Sequence, residues 1–183
     1  MIRWFTEWLQ RLVQLGIDLA MSLIGGLIQA PIEAVARGRA PIAVRRGEAH
    51  EVIDVRHRVL REGHPRQDAV FKGDEAPGTC HWVALQHDRV VGVVTVIEAP
   101  MPDPPPEAEP RPTHQLRGMA VLPELRGEGV GRELLAAAQL GARPLWCNAR
   151  VGVVPFYEGH GWRSTGEPFS IPPIGLHQRM WLP

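Results

Sequence analysis

The stretch Met119-Ala120-Val121-Leu122-Pro123-Glu124-Leu125-Arg126-Gly127-Glu128-Gly129-Val130-Gly131-Arg132 decides how this chain reads. Residues 114–122 form a strand pattern, closed by Pro123. A glycine-rich turn follows and opens a helix over 129–140. Glycines allow positive φ and let a ligand approach the main chain without a Cβ in the way. The first N–H groups of a helix have no partner inside it. With the helix dipole they form an anion site. Arg126 and Arg132 add guanidiniums suited to phosphate oxygens. The turn therefore predicts a bound phosphate or pyrophosphate.

Two common phosphate motifs do not fit. In a G-x-G-x-x-G pattern that starts at Gly127 the last position is Arg132, and in one that starts at Gly129 it is Leu134. A P-loop ending in Gly-Lys-Ser/Thr is also missing. What remains is Arg-x-x-Gly-x-Gly after a strand.

Downstream stand Trp146-Cys147-Asn148-Ala149-Arg150 and Val154-Pro155-Phe156-Tyr157-Glu158-Gly159-His160-Gly161-Trp162. They read as a buried strand, then a short helix over 153–160, with Pro155 tolerated near its first turn. Together with Arg117-Gly118-Met119-Ala120-Val121 and the glycine turn, they resemble the GNAT N-acetyltransferases. The tail, Gly166-Glu167-Pro168-Phe169 to Gly175-Leu176-His177-Gln178-Arg179-Met180, is similar to an uncharacterised bacterial subgroup of that family. The likeness runs from Ile42 to the end. One departure is the helix after Gly131, which reads short for the family.

The resemblance implies a fold, a cosubstrate and roles. The fold is α/β, a GNAT-like mixed central sheet flanked by helices, here with an extra N-terminal amphipathic helical segment. The cosubstrate is acetyl-CoA, with no metal. Arg126, Gly127, Gly129, Val130, Gly131 and Arg132 would hold its pyrophosphate. Met119, Ala120 and Val121 would offer a main-chain N–H to the thioester oxygen, and Asn148 would face the cofactor arm. Tyr157, the chain's single tyrosine, is the expected general acid, because a phenol with a pKa of about 10 stays protonated at neutral pH. Packing beside Phe156 is its plain alternative. His177 is a catalytic-base candidate; Glu167 and His57 stand beside it, and water can relay the proton instead. Cys147 reads as core. The acceptor is an amine of a small molecule or a protein.

Composition limits the other readings. The 183 residues fit one domain with some extra length. Lys+Arg and Asp+Glu both number 20, so no general basic field supports nucleic-acid binding. The two cysteines, Cys80 and Cys147, lie in no metal-ligand spacing and make no disulfide framework, so a reducing, cytoplasmic compartment is expected.

The chain divides into an N-terminal helical extension, 1–40, and a catalytic domain, 41–183. In the extension Met1, Trp4, Phe5, Trp8, Leu9 and Leu12 recur at helical spacing. A nearly apolar run follows, over 19–28. Gln14, Asp18 and Gln29 interrupt the longer stretch 12–30, and a mid-span Asp costs on the order of 2.5–3.5 kcal/mol on insertion scales. Three readings stay open: a helix packed on the domain or on a second copy, a membrane-surface helix, and a true span. Membrane-surface contact or self-association would act through residues 1–30.

The remaining elements follow from pattern. A strand is expected at 42–45 and a helix at 48–61, ended by Gly63-His64-Pro65. A turn-rich stretch to Gly78 has Phe71 as its one large apolar anchor. A hairpin covers 81–85 and 90–97, and Gly141 is expected to cap the glycine-turn helix. A final strand pair is expected at 162–167 and 178–182. Residues 99–112, dense in proline, read as a stiff loop, either a passive insertion or a lid at the substrate mouth. Apart from enzyme action, a catalytically silent CoA-binding regulatory or interaction module is the competing function.

Overall fold

The structure is a computed structural model that describes residues 40–141 and 144–183. The amphipathic segment at 1–30 lies outside the described residues. Ile42–Pro183 forms one compact unit.

Its strands are β1 (Ala43–Gly47), β2 (Cys80–Gln86), β3 (Arg89–Glu98), β4 (His114–Val121), β5 (Leu145–Arg150), β6 (Arg163–Ile171) and β7 (Gly175–Leu182). Its helices are α1 (Ala49–Leu60), α2 (Val130–Gly141) and α3 (Val154–Glu158). All seven strands join one sheet in the order β1-β2-β3-β4-β5-β7-β6. Every neighbouring pair is antiparallel except β4 and β5. This is the mixed α/β sheet expected from the sequence.

Helix α1 starts where the local chemistry is favourable. The Glu51 carboxylate accepts the Glu48 N–H at 2.9 Å, which satisfies an orphan donor ahead of the first turn. Arg45 of β1 pairs with the same carboxylate at 2.7 Å. The helix ends at Arg61, whose N–H bonds the His57 carbonyl, and Gly63 then takes φ of 79°.

The two long helices cover opposite sheet faces. Arg56 of α1 bonds Thr95, which pairs with His81. A Cβ at Gly141 of α2 would meet Trp82, the next residue along β2, at 2.5 Å. Side chains alternate across a strand, so α1 and α2 lie on different sides. On the α2 side Leu134 and Leu135 are fully buried, each worth about 1.5–3 kcal/mol. Gly92 lets α2 close in, because a Cβ there would sit 2.9 Å from both Leu134 and Val130.

Two expectations change. Gly141 lies within α2, and the contact with Trp82, rather than a cap, is what demands glycine there. The last strand pair is longer than expected, since β6 runs to Ile171 and β7 begins at Gly175. A register shift between Thr165 and Phe169 accommodates Pro168, and the Ile174 N–H turns back to the Ile171 carbonyl.

The proline-dense loop is packed down. Trp146 Nε1 donates to the Ala99 carbonyl at 2.7 Å, and Arg179 Nη1 to the Pro102 carbonyl at 3.0 Å. Met101 and Ala108 are buried with Trp146 and Trp181. These contacts make the loop a fixed wall along β5 and β7.

Burial of the Glu51 charge raises its carboxyl, but the hydrogen bond from Arg45, the largest effect, and the Glu48 N–H bring it down from 4.5 to about 2. A carboxyl held low stabilises the fold above its unfolded pKa and loses that effect as pH falls through its folded one. Glutamine keeps an acceptor for the Glu48 N–H, so Glu51→Gln should cost about 0.2–1 kcal/mol at pH 7 through loss of the exposed pair with Arg45. In urea titrations its deficit against wild type should shrink between pH 4.5 and about 2.

Candidate active site

Strands β4 and β5 pair only at His114↔Leu145, Gln115↔Trp146 and Leu116↔Cys147. Past that point β4 keeps β3 and β5 keeps β7 as partners, out to Val121 and Arg150. The inner edges of the two strands therefore part and leave a cleft bordered by main chain.

A bulge shapes one wall. Val93 pairs with Ala120 and Thr95 with Arg117, so Gly118 and Met119 together oppose Val94. Gly118 takes φ of 58°, and a Cβ there would lie 2.7 Å from Arg56 Nε and 3.0 Å from Phe71. The glycine is thus required twice, by conformation and by space.

The glycine turn lies at the end of the same strand. Gly127 and Gly129 adopt φ of 80° and 84°, and nothing lies within 4 Å of a Cβ built at Gly127. The Glu133 N–H makes the bond to the Gly129 carbonyl. The amides of Val130, Gly131 and Arg132 stand ahead of it in the first turn, without an intrahelical acceptor. Arg126 and Arg132 are exposed beside them, with Arg132 3.1 Å from Glu133. Residues of this kind fit a diphosphate: open space, unpaired amides and the positive end of a twelve-residue helix.

Tyr157 bridges the cleft. It is 6% exposed, and its hydroxyl donates to Met119 Sδ at 3.5 Å. Phe156 and Trp162 meet its ring edge-on at 5.3 and 5.2 Å. Burial, and then the nearby Cys147, push its pKa well above 10. It is therefore a protonated donor throughout the neutral range. Cys147 is a free thiol buried in β5, and burial raises its pKa well above the ordinary thiol range. It is core and not a nucleophile.

Asn148 is the first β5 residue beyond the shared ladder, and its amide oxygen is buried without a partner. His177 of β7 sits opposite Arg150 in register. Its Nδ1 is 2.8 Å from the Gly175 carbonyl. A carbonyl only accepts, so Nδ1 carries a proton, and in the neutral ring the lone pair is on Nε2. Register puts Asn148 and His177 on the sheet face opposite Cys147, whereas Tyr157 lies on the Cys147 face. The two proposed catalytic groups therefore approach the cleft from different sides. His57 Nε2 bonds the His64 carbonyl at 2.8 Å near the end of α1, and Glu167 is exposed on β6.

Sequence reasoning missed a buried ionic network behind the bulge. Arg56, fully buried, bonds Asp74 at 2.6 Å and also Thr95. Arg117 takes the other Asp74 oxygen at 2.9 Å, and His81 links Thr95 to the Asp74 carbonyl. A signal was present, because Arg56 falls on the apolar stripe of α1 with Val52, Val55 and Val59. A charge at such a position needs a buried partner.

The chain matches the family model described as "Acetyltransferase (GNAT) domain" over residues 77–164. It is 32% identical over 145 residues to the uncharacterized N-acetyltransferase YitI of Bacillus subtilis (strain 168), covering 76% of this chain and 95% of that one. The chain belongs to the GNAT acetyltransferase family. Its fold is also that of Escherichia coli ElaA, with a TM-score of 0.61 at 17% identity over 78% of this chain and 100% of ElaA. A GNAT family acetyltransferase from Elizabethkingia anophelis, solved with acetyl-CoA bound, superposes with a TM-score of 0.53 at 15% identity, over 77% of this chain and 97% of that one. The family assignment makes the β4–β5 cleft the place to look for chemistry.

Burial would raise the Asp74 carboxyl, but the hydrogen bond from Arg56, the Phe71 amide and the charges of Arg56 and Arg117 outweigh it and hold it low. Its stabilisation is complete above the unfolded value of about 3.9 and fades as pH falls below it. Asp74→Asn should cost about 3–5 kcal/mol at neutral pH by leaving a buried guanidinium uncompensated. Denaturant titrations should show the variant losing less stability than wild type below about pH 4.

Proposed function

We propose that this GNAT protein transfers an acetyl group from acetyl-CoA to the amine of an acceptor. Acetyl-CoA supplies the activated acyl group as a thioester. The observation that carries the reading is the meeting of three features along β4 and the turn that follows it: the first-turn amides of Val130, Gly131 and Arg132, the bulge at Gly118-Met119, and the Tyr157 hydroxyl at Met119.

Each residue then has a task that its setting suits. The amides of Gly127, Gly129, Val130, Gly131 and Arg132 grip the diphosphate, and Arg126 and Arg132 add screened surface charge. The bulge turns a main-chain N–H of Met119, Ala120 or Val121 toward the cleft, where it steadies the developing oxyanion. Asn148 accepts a hydrogen bond through its orphaned oxygen. Tyr157 holds its proton on the phenol oxygen until the thiolate leaves, then donates it. His177 offers Nε2 to take the proton of the attacking amine, directly or through water. A silent CoA-binding module would need no proton donor in the cleft, and no observation favours that reading.

Tyr157→Phe keeps the ring packing and removes the proton. It should lower kcat by about 10²–10⁴, with CoA affinity measured by calorimetry unchanged. A parallel fall in affinity would reduce Tyr157 to a packing residue. Gly129→Val, at φ of 84°, should weaken CoA binding at least about tenfold while leaving the thermal unfolding of the free protein cooperative.

A further inference from the structure

Phe71 gathers positive charge beside the reaction centre. Arg56, Arg61 and Arg117 stand over its ring at 4.3, 5.2 and 5.8 Å. The ring itself lies against the β4 bulge, 3.0 Å from where a Gly118 Cβ would be. The cluster is on the α1 side of the sheet, the side of Asn148 and His177 and opposite to α2. An acceptor reaching an acyl group in the cleft from this side passes the cluster.

The charges there do not cancel. Asp74 answers two of the guanidiniums, Arg56 at 2.6 Å and Arg117 at 2.9 Å. Among the described residues the Arg61 guanidinium, besides its contact with Phe71, hydrogen-bonds only the Leu60 carbonyl, at 2.8 Å. Arg150, exposed at the end of β5, has no ion-pair partner among the described residues. Both belong to one side of the sheet: Arg61 follows α1 and stands over Phe71, and Arg150 lies two residues along β5 from Asn148, on the face of Asn148 and His177. Burial first, and then the charge of Arg150, depress the Arg61 guanidinium. Asp68 acts in the other direction, but it is exposed and faces His64 at 3.7 Å. A guanidinium does not shed its proton in a protein, so the repulsion persists until an anion arrives. Two planar forks with unused donors suit a carboxylate or phosphate. A polyamine would meet charges of its own sign.

We infer that the acceptor amine carries an anionic group, carboxylate or phosphate, held by Arg61 and Arg150 against the Phe71 wall. This rests on the acetyl-transfer reading, which assigns the acceptor to this face.

The test measures binding by NMR titration with matched probes: alanine against alaninamide, O-phosphoethanolamine against ethanolamine, and spermidine. In at least one pair the anionic member should bind roughly tenfold tighter or more, and the stronger pair distinguishes carboxylate from phosphate. Arg61→Gln and Arg150→Gln should each erase the preference, with cooperative unfolding and CoA affinity retained. Equal binding within both pairs, tightest binding of spermidine, or a preference that survives both substitutions overturns the inference. If the preference holds but acetyl-CoA neither binds nor acylates any probe, the anion site stands and the acetyl-transfer reading falls.

Discussion

The parting of β4 and β5 after Leu116 and Cys147 is the constraint on which the rest depends. A continuous parallel ladder would satisfy every inner-edge N–H and carbonyl and leave nothing for a ligand. Here each strand keeps only its outer neighbour, so a line of main-chain groups faces a gap. Unpaired main-chain groups in a sheet are costly unless water or a ligand takes them up. The separation persists because both strands are anchored elsewhere. Strand β5 is tied to β7 over six register pairs and carries Trp146 into the 99–112 wall. Strand β4 is held by β3 and by the ionic network behind its bulge.

That network explains how a bulge can be rigid. Two extra degrees of freedom at Gly118 and Met119 would let the strand wander. Arg56 fills the notch that the missing Cβ leaves, and Thr95, Asp74 and Arg117 close around it. A buried ion pair adds little net stability compared with an apolar packing of equal volume. Its effect is to fix a geometry, since leaving any member unpaired is expensive. Tyr157 meets the same bulge from the other face, through Met119. The position of the phenol is thus tied to the position of α1.

Much of this was readable in order along the chain. The hairpin, the glycine turn and the strand–helix unit around Tyr157 were legible because their signals are local: alternation, glycine spacing, proline placement. The 168–177 stretch was under-read because Pro168, Pro172 and Pro173 look like breaks, while a register shift and a turn absorb them. Gly141 was misread as a cap because nothing in its neighbours announces Trp82, 59 positions upstream. Arg56, Asp74, Thr95 and Arg117 were invisible as a group for the same reason, being 18 to 61 positions apart from Arg56. Sequence placed Tyr157, Asn148 and His177 as site candidates through resemblance; strand register puts Asn148 and His177 on one face, and the contacts of Tyr157 with Met119 and Cys147 put it on the other.

The central claim is that main-chain amides at the bend between β4 and α2 grip a diphosphate. A crystal structure of the protein with coenzyme A tests it most directly. The account predicts pyrophosphate oxygens within hydrogen-bond reach of the Gly127, Gly129, Val130, Gly131 and Arg132 amides. Coenzyme A bound elsewhere, with those amides facing only solvent, would contradict it.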